Sequence, residues 1–128
     1  MLKLRVARPT DNLKQIASMY CKGLDFTVLS QFSGHDGFDG IIIGKPNSPY
    51  HIEFTSNKKH ELNLIHHPDD LLVFYEPSPE SFTNRIEKMQ NAGFECVTSF
   101  NPFWDNNGAT FKDTDGRRVV VVNGNWNK

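Results

Sequence analysis

Apolar residues recur with helical spacing in two separate stretches of the chain. In the first stretch, Leu13, Ile16, Ala17 and Tyr20 are spaced i, i+3, i+4 and i+7, which predicts a helix with one apolar stripe. Gly23 follows this stripe and is expected to end the helix in the left-handed conformation that glycine adopts easily.

The second helical stretch has clear start and stop signals. Ser78 is a good N-cap, and Pro79 suits the first helical turn because its missing N–H would have no partner there. Gly93 is the expected stop. The apolar stripe between these ends consists of Phe82, Ile86 and Met89.

Strand-like runs surround both helices in the same order, with one run before each helix and three runs after it. The runs are 4–7, 26–29, 40–43 and 50–54 in the first half, and 71–75, 95–98, 108–111 and 117–122 in the second. Recurrence at an offset of roughly seventy residues indicates an internal repeat. The sequence therefore predicts an α+β fold in which one β-α-β-β-β module occurs twice.

The predicted organisation is a single domain over residues 1–128. Module one covers about 1–57, a polar linker with room for a short strand covers about 58–69, and module two covers about 70–126. Each module is too small to bury its sheet face alone, so the two are expected to pack together or to swap between subunits of a homodimer.

Composition narrows the class of protein. Hydrophobic residues make up 38% of the chain and charged residues 23%, with a formal net charge of −1, which is typical of a globular protein. The scattered basic residues form no stripe for phosphates, so nucleic acid is not expected as a partner. No apolar run approaches the roughly 18 residues that span a bilayer, and no signal-peptide core is present at the amino terminus. A cytoplasmic location with no membrane partner is expected, and Cys21 and Cys96 are expected to be buried free thiols.

Three segments resemble a known superfamily. Leu4-Arg5-Val6 precedes the first helix, and His51-Ile52-Glu53-Phe54 closes module one. The run 111–120 resembles an F-x-D-P-D-G-x-x-x-E ending, with Thr114 in place of the proline. With the repeated module, these segments make the chain similar to the vicinal oxygen chelate superfamily of glyoxalases, bleomycin resistance proteins and extradiol dioxygenases. The resemblance implies a curved mixed sheet around a cleft.

The resemblance also implies where a divalent metal would be held. Members with metal chemistry use one side chain from the first and the last strand of each module. Here those places fall on Met1, Glu53, Asp70 and Val120, and only Glu53 and Asp70 carry ligand oxygens, fewer than a transition-metal site normally needs. His51 shares a face with Glu53 and is a third weak metal candidate. The inherited site is therefore expected to be degraded, which disfavours glyoxalase and fosfomycin-modifying activity, and no cofactor is firmly implied.

Glu53 and the two arginines of predicted cleft-facing parity each have two interpretations. Glu53 lies between Ile52 and Phe54, and it either acts as a catalytic base or ligand or simply pairs with Arg5 or Arg118. The arginines in turn either neutralise Glu53 or Asp70, or hold an acidic group of a ligand.

A distinctive aromatic loop completes the candidate site. Phe103 and Trp104 lie beside turn residues ahead of a strand, which suits a pocket rim or lid as well as a dimer contact. Trp126 is expected to serve packing or an interface.

The leading hypothesis is a protein that binds a small polar or aromatic molecule and either sequesters or modifies it. Its predicted contacts are Arg5, His51, Glu53, Asp70, Phe103, Trp104 and Arg118. The first alternative is a metal-dependent lyase, isomerase or transferase that uses Glu53 with unusual partners. The second is an interaction module whose sheet mediates only dimerisation.

Overall fold

The structure, a computed structural model, describes residues 1–126. It divides between Asn63 and Leu64 into two compact units, here called unit 1 and unit 2. Unit 1 contains β1 (Leu4–Pro9), α1 (Leu13–Leu24), β2 (Thr27–His35), β3 (Phe38–Gly44) and β4 (Tyr50–Ser56). Unit 2 contains β5 (Leu71–Glu76), α2 (Pro79–Asn91), β6 (Glu95–Val97), a 3-10 turn (Pro102–Asp105), β7 (Gly108–Lys112) and β8 (Arg118–Asn123). The predicted β-α-β-β-β order is confirmed in both halves, whereas the linker carries no strand.

Each unit forms one four-stranded mixed sheet with the same topology. The strand order is β1-β4-β3-β2 in sheet 1 and β5-β8-β7-β6 in sheet 2. In each sheet the first strand pairs in parallel with the last, and the remaining pairs are antiparallel. A parallel pair needs a long crossover connection. In each module that connection consists of the helix and the two strands that lie between the first and last strands in sequence.

The core of unit 1 lies between α1 and one face of sheet 1. Tyr20 of α1 and Phe54 of β4 are fully buried, with ring centroids 5.1 Å apart. Ile52 on β4 and Ile41 and Ile43 on β3 are also buried. Because side chains alternate along a strand, Arg5, His51 and Glu53 point to the opposite face, here called the helix-free face of sheet 1.

The two helices end differently, and one sequence expectation is wrong. α1 continues past Gly23, which is buried within it, to Leu24, and Asp25 takes the left-handed conformation with φ of 58°. Aspartate tolerates this region better than most residues, so packing decides which residue ends the helix. In α2 the predicted Ser78 N-cap is confirmed, with the Ser81 backbone N–H donating to Ser78 Oγ at 3.0 Å, and Gly93 has the predicted positive φ, of 100°.

The core of unit 2 is built in the same way. Met89 contributes a buried side chain from α2, and Phe94 contributes one from the segment that follows the helix. The ring of Phe94 contacts the ring of Phe111 on β7. Phe111 pairs with Val119 on β8, so both side chains lie on the α2 side. The alternating positions, among them Tyr75, Thr110, Arg118, Val120 and Val122, form the helix-free face of sheet 2.

Thr110 carries a prediction about stability. Its hydroxyl is buried and has no hydrogen-bond partner among the described residues, and its cross-strand neighbour is Val120. We expect Thr110→Val to raise the free energy of unfolding by about 1 kcal/mol, because the substitution removes an unpaired buried polar group with little change in shape. Urea unfolding measures this value. Thr83→Val on the exposed face of α2 is the control and should give no gain, and a loss at Thr110 would show that the hydroxyl has a partner.

The two cysteines differ in their surroundings. Cys21 is partly buried, and burial raises the pKa of its thiol. Cys96 is exposed on β6, so the expectation that both are buried is wrong for Cys96. The reason is that β6 is a short edge strand with no strand beyond it in sheet 2.

Among residues 1–126, no helix has the length and apolar character needed to cross a bilayer.

Candidate functional site

A polar cluster lies on the helix-free face of sheet 1. β1 and β4 are parallel neighbours in which Arg5 pairs with His51 and Ala7 pairs with Glu53. Because the side chain of Ala7 is only a methyl group, the longer side chain of Arg5 has room to reach along β4. This register brings Arg5, His51 and Glu53 together on one face.

The guanidinium of Arg5 contacts both other members of the cluster. Arg5 Nε donates to His51 Nε2 at 2.8 Å, and Arg5 Nη1 lies 3.6 Å from Glu53 Oε2. An imidazole that accepts a hydrogen bond at Nε2 is neutral and carries its proton on Nδ1. The side chain of Glu53 is 16% exposed and that of Arg5 is 48% exposed, so the carboxylate is largely shielded from water and has its countercharge beside it.

This cluster does not suit a metal ion. Both donor side chains of module one already interact with Arg5. Within residues 1–126, no group of three or more His, Cys, Asp or Glu side chains is placed to hold a metal. A stable site for a transition metal normally draws on at least three protein ligands, so the residues present do not fit the divalent cation that the superfamily implies.

The other residues that the resemblance assigned to metal binding offer little. Met1 is exposed and precedes β1. Asp70 is exposed in the turn before β5, where its backbone N–H donates to the His67 carbonyl. Val120 is fully buried on β8 and has no donor atom. Arg118 donates from Nη1 to the Thr98 carbonyl at 3.1 Å, which fastens the segment that follows β6.

A pocket of about 350 Å³ lies in unit 2. Tyr75 pairs with Val122 between β5 and β8, so both side chains lie on the helix-free face of sheet 2, near the ends of their strands. The pocket lining consists of Tyr75, Phe103, Trp104, Asn106, Asn107, Val122, Asn125 and Trp126. Four aromatic side chains and three amides thus line one space.

Local sequence explains how the aromatic loop is positioned. Asn101 caps the 3-10 turn by accepting from the Phe103 backbone N–H at 3.0 Å, and Pro102 begins the turn. The Asn107 carbonyl accepts from the Asn123 backbone N–H at 2.6 Å, which ties the loop to β8. A Cβ atom on Gly108 would lie 2.8 Å from the Trp104 carbonyl oxygen, so glycine is required where the loop approaches the sheet.

The sequence identified only part of this pocket. Phe103 and Trp104 were expected at a rim, and both line it, with their rings 5.1 Å apart and nearly perpendicular. Trp126, expected to serve packing or an interface, lines the pocket and is 72% exposed. Tyr75 and Val122 were missed. The available signal was strand parity, which places both on the face opposite α2.

Comparisons with known proteins agree with this architecture. A family model described as the YycE-like N-terminal domain matches residues 4–55, and one described as the YycE-like C-terminal domain matches residues 69–123. Protein YycE of Bacillus subtilis (strain 168) is 40% identical over 121 residues, which cover 94% of this chain and 87% of YycE. The crystal structure of a YycE protein of unknown function from Bacillus subtilis has a TM-score of 0.90 at 38% identity, covering 98% of this chain and 92% of that one.

Two distant structures share the fold alone. The fosfomycin resistance protein FosX from Mesorhizobium loti has a TM-score of 0.74 at 9% identity, covering 95% of this chain and 90% of its own. TnmS3, an antibiotic binding protein from a Streptomyces species, has a TM-score of 0.65 at 12% identity, covering 98% of this chain and 97% of its own. The fold is that of the vicinal oxygen chelate superfamily, as the sequence motifs indicated. Within that superfamily, the chain belongs to the YycE-like family, whose N-terminal and C-terminal domain models match its two β-α-β-β-β modules in turn.

Proposed function

We propose that this protein binds a small planar aromatic molecule in the pocket of unit 2 and sequesters it without chemical conversion. The observation that carries the proposal is the pocket lining, in which four aromatic side chains and three asparagine amides line a space of about 350 Å³. Ligand pockets commonly measure roughly 300–1,000 Å³ and combine apolar walls with a few polar groups.

The lining favours a particular ligand chemistry. Trp104 and Phe103 pack edge to face, an arrangement that leaves aromatic faces available for stacking against a flat ring. Asn106, Asn107 and Asn125 supply neutral donors and acceptors, and no charged side chain belongs to the lining as described. An uncharged aromatic ligand with amide or phenol groups at its edge therefore suits the pocket better than a strongly ionic one.

Sequestration is favoured over catalysis for two reasons. Among residues 1–126, those that line the pocket include no aspartate, glutamate, histidine, cysteine or lysine, the side chains that most often act as general acids, bases or nucleophiles. Among the distant structures with this fold, TnmS3 is named as an antibiotic binding protein, which supports a binding role for a chain with this architecture. The alternative, a metal-dependent enzyme built on Glu53, lacks a sufficient donor set.

Tryptophan fluorescence provides a direct test of binding. The chain has two tryptophans, and both line the pocket, so a bound ligand should change the emission of every tryptophan in the protein. We expect naphthalene-2-carboxamide, a flat bicyclic amide, to alter the emission with a Kd of about 1 mM or tighter, the range that ligands of this size reach. A parallel thermal-shift titration should show a rise in Tm.

Variants locate the binding within the pocket. Trp104→Ala is expected to raise the Kd at least about tenfold, because it removes an aromatic wall. Trp126→Ala, at an exposed position that does not threaten folding, should weaken binding as well. Phe100→Ala removes an exposed aromatic side chain outside the lining and should leave the Kd within about twofold. The proposal would be overturned if the wild type showed no response to the ligand. It would also be overturned if Trp104→Ala and Trp126→Ala both bound the ligand as tightly as the wild type does.

A further inference from the structure

The polar cluster of sheet 1 has an arrangement that the pocket in unit 2 does not explain. His51 and Glu53 lie two residues apart on β4 and share the helix-free face, as two ligands of a metal would. The residue opposite them on the parallel strand β1 is Arg5, in register with His51. A permanently charged side chain therefore lies where β1 could otherwise have supplied a third donor.

The contacts of Arg5 involve the same atoms that a cation would use. The lone pair of His51 Nε2 accepts the hydrogen bond from Arg5 Nε, and Glu53 Oε2 faces Arg5 Nη1. Guanidinium cannot be deprotonated in proteins and has no acceptor. It therefore supplies positive charge and hydrogen bonds to both side chains but can never act as a metal ligand.

A second cation would be strongly disfavoured beside this guanidinium. A divalent ion placed between His51 Nε2 and Glu53 Oε2 would lie within a few ångströms of Arg5, and repulsion between like charges at such distances is large where water is partly excluded. It would also have to displace both existing contacts. The largely buried carboxylate of Glu53, 16% exposed, already has the positive charge of Arg5 beside it. A metal ion would therefore add little electrostatic stabilisation.

We infer that Arg5 is the resident cation of this site, held between His51 and Glu53 in place of a metal ion, and that it makes the site independent of metal. The inference goes beyond the proposed function, because it concerns sheet 1 and stands whether or not the pocket of unit 2 binds an aromatic ligand. It also predicts a specific latent property. Exchange of Arg5 for a metal-ligating side chain should convert the cluster into a three-ligand metal site.

The test is a Zn²⁺ titration by calorimetry on the full chain. The matched proteins are wild type, Arg5→His, Glu53→Gln and the double variant Arg5→His/Glu53→Gln. A histidine at this position would face His51 across the parallel pair, and with Glu53 it would complete the set of two imidazoles and one carboxylate that zinc accepts. We expect Arg5→His to bind one Zn²⁺ per chain at least about tenfold more tightly than wild type, and the double variant to lose this gain.

Wild type and Glu53→Gln should bind Zn²⁺ equally weakly, because the other histidines contribute the same background to both. The visible d–d bands of bound Co²⁺ provide a second readout, which should show ordered coordination in Arg5→His but not in the other three matched proteins. Arg5→Cys supplies an independent ligand of different chemistry, should the histidine variant fail to fold by circular dichroism. Stoichiometric metal binding in wild type that Glu53→Gln abolishes would overturn the inference. The same holds if folded Arg5→His and Arg5→Cys bind Zn²⁺ no more tightly than wild type.

Discussion

Replacement of Phe54 by alanine is expected to lower the free energy of unfolding by about 3–5 kcal/mol. Phe54 is fully buried, and its ring packs against that of Tyr20, which anchors α1 to sheet 1. The substitution removes the apolar contacts of the ring and leaves a cavity that the surrounding structure fills only partly. Because small domains are stable by only about 5–15 kcal/mol, this single change removes a large share of the total.

Chemical denaturation with a circular dichroism readout measures the effect of Phe54→Ala. Phe38→Ala is the matched control, because Phe38 lies on the neighbouring strand β3 but is exposed, and it should cost less than about 1 kcal/mol. A loss at Phe54 as small as that at Phe38 would mean that the packing of α1 on sheet 1 does not depend on this contact.

The repeated module could be predicted because its signals are local. The spacing of Phe82, Ile86 and Met89 predicts α2 directly, and Ser78 has the capping role that its position suggested. The end of α1 could not be predicted in the same way. Gly23 has the intrinsic preference for the left-handed conformation, but it is buried within α1, and the left-handed residue that follows the helix is Asp25, two residues later. Tertiary packing, which has no local signature, decided between them.

The length of β2 shows a second limit of sequence patterns. The apolar run 26–29 predicted a short strand, whereas β2 extends from Thr27 to His35 and turns into β3 at Asp36 and Gly37. The additional residues are mostly polar and exposed because β2 is an edge strand of sheet 1. A strand whose residues are almost all exposed shows no alternation of apolar and polar residues, so its length cannot be predicted from the sequence pattern.

The candidate site could be predicted only in part, because strand parity is a local signal whereas strand register is not. Strand parity correctly grouped Arg5, His51 and Glu53 on one face. Which atoms meet depends on the register of β1 against β4, and a shift of one residue would send Arg5 to the other face. The pocket of unit 2 joins positions far apart in sequence, such as Tyr75 and Trp104. Only the folded sheet shows that they are neighbours.

The two modules differ in how much of the superfamily's metal chemistry they could regain. In module one the obstacle is Arg5, a partly exposed side chain that a substitution can replace without opening the core. In module two the position that carries glutamate in the superfamily motif is Val120, which is fully buried between Val73 and Thr110 in neighbouring strands. The loss of the ligand there is coupled to packing, so the change should be much harder to reverse.

Val120→Glu is therefore expected to destabilise the protein by more than about 4 kcal/mol at pH 7. The side chains paired with the introduced carboxyl in the neighbouring strands, Val73 and Thr110, carry no countercharge, and the guanidinium of Arg118 on the same face of β8 already donates to the Thr98 carbonyl. Burial of the charged form should therefore raise its pKa above the unfolded value of about 4.3. The folded state then retains a proton that the unfolded chain has released, so the destabilisation grows as the pH rises from the unfolded pKa to the folded pKa. Below about pH 4 both states are protonated and the pH-dependent part of the loss disappears.

Urea unfolding of wild type, Val120→Glu and Val120→Gln at several pH values between 4 and 8 measures this difference. Val120→Gln has nearly the same shape but does not titrate, so its loss relative to wild type should stay constant across the range. Val120→Glu should match it at the acidic end and fall progressively below it as the pH rises. Equal losses at every pH would mean that the carboxylate reaches water or a cation at this position. Module two could then still accommodate a charged metal ligand at this position, although the complete burial of Val120 indicates that it cannot.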